Sequence, residues 1–136
     1  MEYKHKISCS KQNLGELRSF VKTVLRKHKV PEKKAYELVL AVDEVCTNLV
    51  VHSNNCNPEE KLTLRVRVNN EDTIEFVFFD QGVAFNSNAY SEPRLPDLIK
   101  KKRKGGLGMV LVRRIMDQVE YSKENDFNVC RLVKKL

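Results

Sequence analysis

Glu44 and Asn48 lie four residues apart in a segment whose apolar residues recur at helical spacing. On a helix that spacing stacks the two side chains on one face. Both end in oxygen, a hard donor suited to magnesium, and the carboxylate can also accept a proton. A second group is Gly105, Gly106 and Gly108, placed just before another apolar-periodic stretch. Glycines let the backbone approach a ligand closely, and the start of a helix offers free N–H groups and a positive dipole end, which together suit an anion. A third is "FDQGVAF", residues 79–85, where a strand-forming run finishes on Asp80 with Gly82 two residues later. Taken singly, each has an ordinary reading: a solvated pair at a helix border, a flexible helix start, a plain turn. Two familiar glycine motifs are excluded. A P-loop needs GxxxxGK followed by serine or threonine, which is absent, and a dinucleotide fingerprint needs a strand directly before GxGxxG. Here Lys102, Arg103 and Lys104 precede the glycines, and Leu111 stands where the third glycine belongs.

The elements that must hold these groups follow from periodicity. Residues 3–9 alternate loosely and predict a strand. Leu14, Leu17, Val21, Val24 and Leu25 predict an amphipathic helix over residues 11–28, broken at Val30 and Pro31. A second helix over 32–52 carries Leu38, Val42, Val45 and Leu49 at the centre of its apolar stripe, with Glu44 and Asn48 at the edge beside Ala41. Asn54 to Pro58 read as a loop. Residues 62–68 alternate cleanly and residues 73–79 are rich in strand formers, so with Asn69 to Asp72 between them they predict a hairpin. Residues 86–104 show no convincing element beyond a turn of helix near Leu98; a stretch of that kind is either disordered or a functional lid. The glycines then open a helix through Asp117, and strands over 119–123 and 127–133 close the chain across Asn125 and Asp126. The order β-α-α-β-β-lid-α-β-β implies an α+β two-layer sandwich, mostly antiparallel, with its helices on one face.

Composition narrows the classes. At 136 residues with 41% hydrophobic residues, the chain reads as one soluble globular domain over 1–136. No apolar run approaches the roughly 18 residues that span a bilayer, and the opening MEYKHKISCS has no segment of signal-peptide type. A cytoplasmic location without membrane contact is the expectation. Cys9, Cys46, Cys56 and Cys130 form no CxxC pair and no zinc-like grouping with the histidines; Cys46 and Cys130 sit in apolar patterns and read as reduced core thiols. The formal charge of +7 is local: residues 94–104 hold six basic residues and one acid, while the remainder is nearly balanced at 19 basic and 17 acidic. That segment runs straight into the glycines, so a polyphosphate would meet it at close range.

Together the three groups resemble one family. Residues 37–53, "ELVLAVDEVCTNLVVHS", resemble the N-box of the GHKL (Bergerat-fold) ATPases. Asp80 to Asn86 resemble their G1 box in the D-x-G-x-x-F form of the anti-sigma regulatory serine-protein kinases, and "GGLGMVLVRRIMDQVEY", residues 105–121, resembles that group's G2 box. The resemblance covers nearly the whole chain and implies the following. Asp80 accepts a hydrogen bond from the adenine amino group of ATP, Gly82 lets the backbone pass beneath the base, and Phe85 completes the box. Asn48 gives its amide oxygen to Mg²⁺, and Glu44 orients or deprotonates the attacking hydroxyl. Gly105, Gly106, Leu107 and Gly108 surround the phosphates, with Arg103 or Lys104 touching the γ-phosphate beneath a lid of about residues 86–104. The implied activity is ATP- and Mg-dependent phosphorylation of a serine in a small anti-sigma factor antagonist, with a sigma factor as a further partner and a homodimer as the assembly.

Three other readings are weighed beside it. A free-standing histidine kinase needs a phosphorylatable histidine on a dimerising hairpin, a context that His5, His28 and His52 do not have. A nucleotide-dependent binding module would sequester a regulator without phosphoryl transfer; an intact Glu44 argues against it. A nucleic-acid binder built on residues 94–104 lacks interleaved aromatics and a docking helix.

Overall fold

The computed structural model describes residues 1–53, 57–70, 72–81 and 104–136. The order is β1 (Glu2–Ser8), α1 (Leu14–Lys27) after a short 3₁₀ turn, α2 (Glu32–Thr47), β2 (Lys61–Asn69), β3 (Thr73–Asp80), α3 (Lys104–Ile115), β4 (Gln118–Glu124) and β5 (Phe127–Lys135). All four strand pairings are antiparallel and the sheet order is β1-β2-β3-β5-β4. The predicted α+β sandwich is therefore the observed fold. The predicted loop at Asn54 to Pro58 is described only from Asn57 on, and the predicted lid at 86–104 lies outside the described residues except for Lys104.

Alternation decides which sheet face is covered. Leu62, Leu64, Val66 and Val68 of β2 are buried, and register sets them beside Ile7 of β1 and Ile74, Phe76 and Phe78 of β3. Cys130 and Leu132 of β5 extend the same face. The helices supply the opposing layer with Leu17, Val21, Leu25, Leu38, Ala41, Val42, Val45 and Val112, all at most 3% exposed. α2 packs against both α1 and α3. On the opposite sheet face Arg131 Nε donates to Glu75 Oε2 at 2.6 Å and Arg131 Nη1 to Glu120 Oε2 at 3.2 Å, tying β3, β5 and β4 together.

The α1–α2 junction shows how a short connection is made without glycine. Lys29 takes a left-handed conformation at φ 56°, its N–H donates to Arg26 O at 3.1 Å, and the Val30 N–H donates to Leu25 O at 3.0 Å. These two bonds form a Schellman termination, which satisfies carbonyls the helix end would leave unpaired. Pro31 then stands at the cap before Glu32, where its missing N–H costs nothing. Two contacts fasten β1 beneath α1: the Tyr3 hydroxyl and His28 Nε2 lie 2.9 Å apart, and His5 stacks on Phe20 at 5.0 Å.

A lysine in the left-handed region is strained relative to glycine. Lys29→Gly is expected to stabilise the fold by about 0.5–1 kcal/mol in urea unfolding. A loss of stability would show that the lysine side chain contributes more than its backbone strain costs.

Candidate functional site

α2 carries the first two groups. Glu44 and Asn48 are half-buried while Ala41, Val45 and Leu49 around them are buried, so both stand on the border expected from the wheel. The helix does not continue unchanged past them. From Asn48 to Ser53 it widens into a π-helical stretch, in which each carbonyl is bonded five residues on. Asn48 stands where the two geometries meet, and its N–H points at both Glu44 O and Val45 O. Leu49 and Val50 are both buried, a consecutive pair that suits the wider turn. A simple 3.6-residue period does not anticipate this change, although such stretches occur often at functional sites.

α3 carries the third. It begins at Lys104, so the glycines lie within its first turns instead of ahead of them. For Lys104, Gly105, Gly106 and Leu107 the backbone alone is described. Gly108 is the informative position. A Cβ built on it would overlap Glu44 Oε2 and stand 3.0 Å from Glu44 Cδ, so the Glu44 carboxyl fills the space a side chain would take. The structure therefore brings Glu44 and Gly108 together across the α2–α3 contact. A carboxylate near the first turns of a helix is favoured by the dipole. Its own environment acts the other way on its charge: burial, and next the Asp43 carboxylate, push the Glu44 carboxyl above its ordinary range.

Asp80 closes β3 at 1% exposure on the covered face of the sheet. Register places Leu62 on one side of it and Asn128 of β5 on the other. Cys130, in phase with Asn128 and one pair further along, is pushed up to about 12, by burial first, with the Asp80 charge also raising it and Tyr121 and Arg113 opposing. The Cys46 thiol of α2 is likewise raised by burial, then by Asp43 and by Cys130. Cys130 thus lies within electrostatic reach of Asp80 and of α2. Tyr121, paired with Cys130 in register, donates its hydroxyl to Met109 Sδ of α3 at 3.5 Å. Cys9, Cys46 and Cys130 are buried free thiols.

Gly82, Phe85 and Arg103 lie outside the described residues, as does Cys56. Sequence reasoning missed Asn128. The signal was an Asn in phase with Cys130 and Leu132 on a strand, but assigning it to Asp80 requires knowing that β5 lies beside β3. Among the described residues no three His, Cys, Asp or Glu side chains cluster as a metal site. No helix of the described residues is long and apolar enough to cross a membrane.

The model of one family, described as the histidine kinase-like ATPase domain, matches residues 7–134. The chain belongs to that family. The expectation from its N-, G1- and G2-like boxes is thereby met. A serine-protein kinase RsbW of Halalkalibacterium halodurans is 31% identical over 93 residues, covering 65% of this chain and 56% of that relative. Another of Oceanobacillus iheyensis is 25% identical over 134 residues, covering 96% of this chain and 83% of the relative. The first match therefore spans little more than half of its relative's length. Among solved structures, the RsbU and RsbW domains of a Mycobacterium tuberculosis protein superpose with a TM-score of 0.68 over 100% of this chain and 32% of theirs, at 9% identity. That likeness supports the histidine kinase-like ATPase fold.

Two outcomes test the site. Gly108→Ala is expected to fold normally, because the obstructing atoms end a flexible side chain, while the ¹³C shift of the Glu44 carboxyl moves; an unmoved shift would show the two do not touch. For Glu44 itself, the raised folded pKa means its contribution to stability is present below the ordinary value of 4.5 and is lost as pH rises through the folded value. Glu44→Gln should therefore gain on the parent between acidic and neutral pH in urea unfolding. An equal difference at both pH values would contradict the assignment.

Proposed function

We propose that this domain binds ATP with Mg²⁺ and transfers the γ-phosphoryl group to a serine of a small antagonist protein in a partner-switching pathway. The observation that carries the reading is the contact of the Glu44 carboxyl with Gly108, which joins a candidate base to the glycine-bearing start of α3. The names of the relatives, serine-protein kinase RsbW, support the reaction class.

The residues fit their assigned tasks. Asp80 is buried at the end of a strand, so its carboxylate is held fixed where an adenine amino group would donate to it. Asn128, opposite Asp80, lines the same end. The half-buried Asn48 offers a single amide oxygen at the edge of α2, and Gly108 leaves room for the Glu44 carboxyl against the backbone of α3. Mg²⁺, if held by the Asn48 amide oxygen, would offset the charge of the phosphates. Glu44, whose carboxyl is raised above its ordinary range by burial, would take the serine proton as the hydroxyl oxygen bonds to the γ-phosphorus and the bond to the ADP oxygen breaks. Phosphoryl transfer rests on positioning and charge neutralisation, so so few groups suffice.

Gly82 and Phe85 complete the adenine side in this reading, Gly105, Gly106 and Leu107 the phosphate side, and Arg103 or Lys104 meets the γ-phosphate. The regulated client is a sigma factor held by a homodimer in the cytoplasm.

The test is to incubate the protein with Mg-ATP and the antagonist encoded beside it, reading phosphoserine by mass spectrometry and nucleotide binding by calorimetry. Glu44→Gln should lower phosphoserine formation by about a hundredfold or more while retaining ATP binding. Asp80→Asn should weaken ATP binding by about tenfold or more, since a buried hydrogen bond to a charged group is lost. If ATP binds and no protein acceptor is ever labelled, the domain sequesters its partner without phosphoryl transfer.

A further inference from the structure

Away from Glu44, Asn48, Asp80 and Gly108, the helical hairpin of α1 and α2 holds a groove of about 580 Å³ that none of those residues lines. Its floor is apolar: Val30, Ala35, Val39 and Leu40 are half-buried there, beside the fully buried Leu25 that the Schellman turn bonds to Val30. Tyr36 stands on the α2 rim with 70% of its surface exposed, an unusual state for a large side chain with so much apolar area. The α1 rim carries Arg18, Lys22 and Arg26, whose spacing of four sets them in one row. Arg18 is engaged, donating from Nη1 to Asp43 Oδ1 at 2.7 Å and closing one end of the groove. Lys22 and Arg26 are exposed and pair with no acid among the described residues.

We propose that this groove docks an amphipathic helix of a partner protein, with its apolar face over Val39 and Leu40 and acidic residues on the flank that meets Lys22 and Arg26. Two packed helices with an open furrow between them accept a third by ridges into grooves. Tyr36 has the character of a central anchor, able to bury a large area with little loss of rotamer freedom. Glu32 also lines the groove from the α2 side, so Lys22 and Arg26 favour an acidic flank along the α1 rim and thereby set the occupant's orientation. An elongated helix fits better than a compact small molecule, because the charged groups stand on the rims while the floor is apolar. This inference is independent of phosphoryl transfer. It concerns a surface that Glu44, Asn48, Asp80 and Gly108 do not line.

The probe is a stapled synthetic helix with leucines at i, i+4 and i+7 and glutamates along one flank, matched by a peptide with lysines in place of the glutamates. Binding to the full chain is followed by fluorescence anisotropy, and the site by amide chemical shifts. The acidic peptide should bind at least about tenfold more tightly than the basic one, shift Tyr36, Val39 and Leu40, and be indifferent to Mg-ATP. The doubly exposed change Lys22→Glu with Arg26→Glu, checked for unchanged circular dichroism, should reverse the order of the two peptides. Tyr36→Ala should weaken the acidic peptide while leaving the charge preference. The proposal is overturned if neither peptide binds, if both bind equally, if the charge-reversed variant keeps the original order, or if the shifts fall at Gly108 and Mg-ATP competes.

Discussion

The close approach of α2 to the start of α3 governs the site. Gly108 has no side chain, and the Glu44 carboxyl occupies the volume one would fill. Burial there favours the protonated form, while the helix dipole favours the charged one. Net burial prevails, because the Glu44 carboxyl stands above its ordinary range and Asp43 adds to the shift. A carboxyl shifted in this direction holds its proton to higher pH than a solvated surface glutamate does. The same packing that stabilises the helical layer therefore sets the chemistry of its one inward-facing acid at this junction.

The sheet provides the second support. β3 is central, with β2 and β5 on its two sides, so Asp80 at its end is held by strands on both edges. Burial of a carboxylate is costly unless something stabilises it, and Asp80 is held at 1% exposure. Around it stand Asn128, Cys130 and Tyr121, which supply polar and polarisable groups beside the hydrocarbon of Leu62 and Phe78. Burial pushes the Cys130 thiol up to about 12 and raises the Cys46 thiol, which disfavours the thiolate at both. They fill the space between α2 and the sheet.

Much of this was legible in residue types. The alternation in β2, the turn residues Asn125 and Asp126, and the stripe of Leu38, Val42, Val45 and Leu49 predicted their elements to within a few residues. Their signals are local, and each agrees with the final fold. Other features depended on context. The pairing of β5 with β3, which makes Asn128 a neighbour of Asp80, is a property of the whole sheet. The π-helical stretch from Asn48, with Leu49 and Val50 both buried, is a change of helical period that a fixed period hides. α3 starts at Lys104, ahead of Gly105 and Gly106, because tertiary packing overrides the low helix propensity of glycine. The Schellman turn at Lys29 was hidden because lysine replaces the glycine that usually marks it. Nor did any periodicity announce the groove beside Tyr36, whose exposure is visible only once α1 and α2 are paired.

The central claim is that α2, the end of β3 and the start of α3 form one nucleotide site. An amide-resolved NMR titration with Mg-ATP addresses it most directly. The account predicts that Asn48, Asp80 and Gly108 shift together along one saturating curve, with Asn128 following and the α1–α2 groove silent. Shifts confined to one of these elements, or the absence of any saturable change, would contradict it.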